Sequence, residues 1–451
     1  MTRLHASYTK LLVALLLSFT VIFTPSATFA AESVTTTSHA DGVAQYKQFL
    51  QEKFDVSLKG TITKGEFIQA VADILNLKQS EQEVSFTDLK LDHPLFSSAA
   101  ALYENGIILG PEVKGEQTLT QSVAISIAVR AADIKELAYT YPAEKVNKVL
   151  DKLNIPSNQL DKKVAQEIAV AVDTNLVSVS YLNNFKSSNI ADDKLVNELL
   201  GKILITKGLY KNYIGYTSDS DIHIKLRNAY LTSDIIKAPK LQTLVNTALE
   251  QKLITGYSLK DERFDPNFID SLSLTYGHSD FKHAVQLIGL LHSEGLDAKV
   301  QFEPKTSAFI HLSEWGDPGP NVVKIANGNY IAYAKEYDLE FEFSTVQEKA
   351  AFQDVILKFA KKNTVDQTGL ISSSWWQPLY YSSTPLKDYE IITNNLITDK
   401  DSHYTVNPFS LNEDSAKVVK GLKAIDPDAV ITPFQFWVDK PFFNYLHGEA
   451  L

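Results

Sequence analysis

The chain has 451 residues, of which 43 are Lys or Arg and 54 are Asp or Glu, a net charge of -11. An acidic surplus excludes the wrapping of nucleic acid, because counterion release needs Lys and Arg gathered on one face. The 44% hydrophobic content is that of folded domains, and the absence of Cys removes disulfides, thiolate metal sites and any thiol nucleophile.

Arg3 and Lys10 precede the apolar run Leu11 to Phe23, and small residues lead on to Ala30. This is the pattern of a secretory signal peptide over residues 1–30, since a run of that length at 1.5 Å per residue falls short of a bilayer of about 30 Å. Cleavage after Ala30 takes away Arg3 and Lys10 and moves the net charge from -11 to -13. No later apolar run reaches membrane length. The expectation is a secreted protein with no transmembrane segment once the signal is removed.

Residues 64–77 carry Phe67, Ile68, Val71, Ile74 and Leu75 at helical spacing, and Thr63 with Glu66 forms a capping box at the helix start. A comparable block follows: Phe86 and Asp88, a helix over 95–104, the turn Gly106-Ile107-Ile108-Leu109-Gly110, and a second helix capped by Thr120. Thr63 and Thr120 lie 57 residues apart, and a period of that size marks stacked helical units sharing their apolar faces. A third copy is traced through Ile168 to Val172 and a helix bearing Leu195, Leu199, Leu200 and Ile203. Its cap position is Ala191-Asp192-Asp193-Lys194, and the extra length fits a helix inserted around Pro142 to Pro156.

Residues 43–212 resemble the S-layer homology repeats of Gram-positive surface proteins, in degenerate form. The aromatic-x-Asp start at Phe86 and Asp88, the turn Gly106 to Gly110 and the helix ending Val129-Arg130-Ala131-Ala132 carry the likeness, with Thr63-Lys64-Gly65-Glu66 in place of the family's Thr-Arg-Ala-Glu-like motif. The resemblance implies an all-α repeat module that binds secondary cell-wall polysaccharide or peptidoglycan through Lys64, Glu66, Asp88 and Arg130. Gln121 and Asp192 stand where two of the three basic positions would be, and a groove for an anionic sugar needs cations.

From Tyr276 onward the order is a helix beginning near Ser279, the turn Gly295-Leu296 and a strand over 298–302. This stretch, 276–312, resembles the core of transglutaminase-like cysteine enzymes with Ser279 at the place of the missing cysteine. The resemblance would make residues 213–320 an α/β middle domain and Ser279, with His283 or His311 as base, a hydrolase or acyl-transferase centre. His278 and His283 are five apart, so they do not share a helix face as metal ligands do, and no metal or other cofactor is expected.

Beyond Gly316-Asp317-Pro318-Gly319-Pro320 the alternation Leu339 to Phe343, a helix over 345–361, strands over 370–381 and 389–397, a helix over 412–424 and a strand over 429–438 follow in turn. That order is β-α-β-β-α-β, the ferredoxin-like arrangement, expected for 321–451. Trp375, Trp376, Tyr380, Tyr381, Phe434 and Phe436 suit either a sheet core or stacking on sugar rings. The expectation for the whole is a multidomain, non-catalytic protein of the cell wall or surface, with a secreted hydrolase as the alternative.

Overall fold

The computed structural model describes residues 42–80, 83–183, 185–311, 319–359 and 380–448. The signal peptide expected over residues 1–30, Trp375 and Trp376 lie outside these residues.

Where the sequence has helical periodicity, eight helices form: α1 (Val43–Phe54), α2 (Lys64–Ile74), α3 (Phe96–Glu104), α4 (Gln121–Ala131), α5 (Lys135–Thr140), α6 (Ala143–Lys152), α7 (Lys162–Asp173) and α8 (Asp193–Thr206). The capping box of α2 is complete: the Glu66 N–H donates to the Thr63 hydroxyl at 3.2 Å and the Thr63 N–H to the Glu66 carboxylate at 2.7 Å. α8 starts at Asp192, whose carboxylate accepts the Leu195 N–H at 2.8 Å. Thr120 holds the cap position of α4 without a side-chain cap bond. Short antiparallel bridges, Thr63 with Thr118 and Thr120 with Ile190, tie these helix starts together. Gly201 lets α8 close on α1, because a Cβ there would sit 2.4 Å from the Tyr46 ring.

The rest of the described chain runs β1 (Gly215–Tyr216), α9 (Ile222–Thr232), α10 (Pro239–Glu250), β2 (Gly256–Asp261), β3 (Ser273–His278), α11 (Phe281–Ser293), β4 (Ala298–His311), β5 (Val322–Lys324), β6 (Tyr330–Phe343), α12 (Val346–Phe359), β7 (Tyr380–Ser382), β8 (Glu390–Thr398), β9 (Tyr404–Asn407), β10 (Phe409–Ser410), α13 (Ser415–Ile425), β11 (Val430–Val438) and α14 (Lys440–Leu446). Eight strands close into an antiparallel barrel in the order β4, β2, β9, β8, β11, β7, β3, β6 and back to β4. Its longest seam pairs β4 with β6 from Ala298–Phe343 to His311–Tyr330. β1, β5 and β10 add to its margins.

This architecture corrects the expected one. The two α+β domains of 213–320 and 321–451 do not exist as separate sheets: β3, from the first, pairs with β6 and β7, from the second. Nor do the strands expected to be ferredoxin-like form their own four-stranded sheet, since β6 and β8 are joined only through the barrel. The all-α module is not self-contained either, because Ile269 and Leu272, from the barrel half, are buried in its core. Helix makes up 45% and strand 20% of the described residues. The physical reason is edge satisfaction: closure pairs the edge N–H and C=O groups that two small open sheets would leave exposed.

Period-two alternation sorts the strand residues. Outward positions such as Leu274, Tyr276, Val300, Phe302, Leu339 and Phe341 are buried with residues of α9, α11 and α12. Tyr257, Leu259, Ile397 and Val406 do the same with α10 and α13. The inward positions of β2, β4 and β6 are mostly polar, while β11 turns Phe434 and Phe436 inward. Among the described residues no helix is long and apolar enough to cross a membrane.

Candidate functional site

The inward faces of β4 and β6 carry Glu303, Lys305 and Ser307 opposite Glu336, Asp338 and Glu340, all held by the register that pairs Glu303 with Asp338 and Lys305 with Glu336. β2 adds Ser258 and Lys260, and β7 adds Tyr381. The facing wall is aromatic and amide-bearing: Phe434 and Phe436 from β11, Phe409 from β10, Asn394 from β8 and Asn407 from β9. Between the walls lies a cavity of about 580 Å³, within the range of small-molecule sites. α14 lies at one end, where Phe442 and Tyr445 line a small void together with Ser258 and Ser307. At the other end Glu262, Asp265, Asp270 and Lys53 of α1 border the opening.

Charge inside the lumen is organised around one carboxylate. Asp338 accepts from Lys305 Nζ at 2.6 Å and the Tyr381 hydroxyl at 2.8 Å, and Lys260 Nζ lies 2.8 Å away. Burial pushes its carboxyl up, but the two ammonium groups and their hydrogen bonds outweigh that and hold it well below the usual range. Lys260 also reaches the Tyr381 hydroxyl at 2.9 Å, hydrogen-bonds Glu303 and stands 3.6 Å from Glu340. Burial lowers this ammonium, yet Asp338 and Glu303 keep it well above its ordinary value. Two lysines thus face four carboxyl groups. Burial raises Glu336 to about 8, and burial together with Glu303 raises Glu340 well above the carboxylate range.

Several polar atoms of this site have no partner among the described residues. The Ser258 hydroxyl, Asn394 Oδ1 and Glu336 Oε1 are buried and form no hydrogen bond, and Ser258 and Asn394 line the cavity. Such groups each cost about 1–3 kcal/mol when left unbonded.

The residues chosen from sequence are distributed elsewhere. Lys64 and Arg130 meet at a surface depression of about 200 Å³, and Lys64, half-buried, forms no ion pair among the described residues. Burial lowers its ammonium. Arg130 is committed to Glu167, with Nε 2.8 Å from its carboxylate. Glu66 and Asp88 face local backbone instead: Glu66 completes the capping box, and Asp88 accepts the N–H groups of Val113 and Lys114 at 2.8 and 2.6 Å.

Ser279 is not the cap of α11. That position is Asp280, whose carboxylate accepts the Lys282 N–H at 2.9 Å, while His278 Nδ1 accepts the N–H groups of Ser279 and Asp280, both at 2.9 Å. His283 stacks on His278 with ring centroids 3.6 Å apart. His278 is in register with Tyr337 and so with Pro304, and His311 stands seven residues further along β4, roughly 20 Å at the rise of a strand. The structure therefore does not bring Ser279 and His311 together. Among the described residues no group of three His, Asp or Glu is placed to hold a metal ion.

The lumen was missed because the polar half of an alternating strand reads as solvent-facing. The signal available was the pair of runs Gln301-Phe302-Glu303-Pro304-Lys305 and Glu336-Tyr337-Asp338-Leu339-Glu340, which are charged on the same parity over matching lengths. No family model matches the chain, and no curated protein matches it.

Proposed function

We propose that the chain is an exported, non-catalytic binding protein whose barrel holds a small ligand in its lumen and whose helical half attaches it to secondary cell-wall polysaccharide or peptidoglycan. The receptacle rests on the unsatisfied lining of the cavity, Ser258 and Asn394, whose buried oxygens a bound molecule would satisfy. The separation of Ser279 from His311 counts against the hydrolase alternative, because a base must come within hydrogen-bond reach of its nucleophile.

Saturation-transfer NMR on the intact chain with small cationic, zwitterionic, neutral and anionic molecules tests the receptacle. At least one class should bind, and Asn394→Leu should weaken it; silence from all four classes sinks the reading.

Wall attachment rests on the resemblance of residues 43–212 to S-layer homology repeats and on Lys64, a cation without an ion-pair partner among the described residues, in the same depression as Arg130. The chain should sediment with bare cell-wall sacculi and be released when the wall polymer is stripped. Lys64→Glu should reduce the sedimented fraction several-fold without changing the unfolding temperature. Equal sedimentation of both proteins would remove Lys64 from the account.

A further inference from the structure

We propose that the lumen takes an organic ammonium ion with an apolar body, its cation lying against Glu340 and its body against Phe434 and Phe436. The inference rests on the receptacle reading and names the ligand class of that same site.

The charge balance comes first. Among the described residues Lys260 and Lys305 serve Asp338 and Glu303, and the two carboxyl groups left over, Glu336 and Glu340, are raised so far that they hold their protons at neutral pH. Asp338 has both lysines and the Tyr381 hydroxyl, so its capacity is already taken. Glu340 has no cation nearer than Lys260 at 3.6 Å, and its side chain, 17% exposed, borders the cavity. Glu340 shares a hydrogen bond with Glu303 and holds its proton, and a ligand ammonium beside it supplies the cation that lets it release that proton. An anionic ligand would raise that carboxyl further, and a neutral one would leave it protonated.

The opening has the same sign. Among the described lining residues Glu262, Asp265 and Asp270 border it with Lys53, which lies 3.2 Å from Asp270, while Lys349 sits behind Asp270 with its ammonium 3.2 Å from that residue's carbonyl. A mouth lined by one sign of charge concentrates the opposite sign and speeds its capture. Opposite the carboxyl wall, Phe434 is 40% exposed and lies 6.1 Å, ring centroid to centroid, from Phe436. Aromatic faces receive both the apolar body and, through their quadrupoles, the edge of an organic cation. The unbonded oxygens of Ser258 and Asn394 are acceptors for ammonium hydrogens as well.

Three molecules of nearly one shape separate the outcomes: 2-phenylethylamine, 2-phenylethanol and 3-phenylpropanoate, each titrated calorimetrically into the full chain. The amine should bind at least about ten-fold more tightly than the alcohol, and the carboxylate should not bind. Glu340→Gln should cost the amine about ten-fold and leave the alcohol unchanged, whereas Phe434→Leu should weaken amine and alcohol together. An unchanged unfolding temperature shows that both variants are folded. If the alcohol or the carboxylate binds as tightly as the amine, or Glu340→Gln leaves the amine unaffected, the ammonium assignment falls while the receptacle stands. If none of the three binds and the wider NMR panel still yields a ligand, the assignment falls likewise. Silence from that whole panel removes the receptacle itself.

Discussion

Lys260 Nζ lies 2.8 Å from the Asp338 carboxylate although their strands, β2 and β6, do not pair with each other. Both flank β4, and the two side chains meet over its inner face beside Lys305 and Glu303. The contact exists only because the sheet curves into a barrel and turns its polar parity inward.

Lys260 is therefore the cation on which three buried carboxyl groups converge. Lys260→Met leaves Glu303 and Glu340 facing no ammonium and Asp338 only Lys305. Removing one member of a buried ionic network costs about 3–5 kcal/mol, which urea unfolding would read. A loss below about 1 kcal/mol would show that the lumen is wetter than its burial implies.

Glu336 gives a pH signature. Its carboxyl is raised by burial from 4.5 to about 8, so between those values the folded chain holds a proton that the unfolded chain has released. The contribution is full below the unfolded value and is lost as the pH rises through about 8, at up to about 1.4 kcal/mol per pH unit. Relative to the wild type, Glu336→Gln should gain stability steadily between pH 5 and pH 8. Parallel pH curves for the two proteins would refute the assignment.

His278 works in the opposite sense. Burial, and then the neighbouring His283, lower it from 6.5 to about 3, which fits an Nδ1 that accepts two backbone N–H groups. The unfolded imidazole takes up a proton below its ordinary value while the folded one does not, so stability falls as the pH drops from 6.5 towards 3. His278→Asn keeps an acceptor and should flatten that acid limb, measured by thermal unfolding from pH 4 to pH 7. An acid limb as steep as before would place the proton uptake elsewhere.

Gly201 should tolerate no side chain. An added Cβ meets the Tyr46 ring at 2.4 Å, so Gly201→Ala should destabilise by about 1–3 kcal/mol through overpacking. Pairing it with Tyr46→Leu should recover part of the loss, as contacting residues are coupled. Additive losses in the double mutant would mean that α1 shifts instead.

Much of the local structure was legible from spacing. The capping box at Thr63 and Glu66, the helix after Asp192 and the strand alternation near Leu339 each depend on residues within a few positions of one another. The helix start expected at Ser279 lies one residue later, because the Asp280 carboxylate takes the Lys282 N–H while His278 Nδ1 takes the N–H groups of Ser279 and Asp280. The candidate sites were less legible. Lys64 and Arg130 do meet, but Asp88 and Glu66 serve turns and caps, roles open to any short acidic side chain at a helix start or loop.

Sequence by itself determined the acidic balance, the lack of any thiol, the helical first half and the strands with one charged parity. Only the tertiary structure decided that those strands close on one another, and with that whether Glu303, Asp338 and Glu340 face water or a lumen. Alternation says that the two faces of a strand differ, but which face is inside depends on partners about 40 to 80 residues away in the chain, such as Lys260 and Tyr381, and no local pattern encodes that pairing.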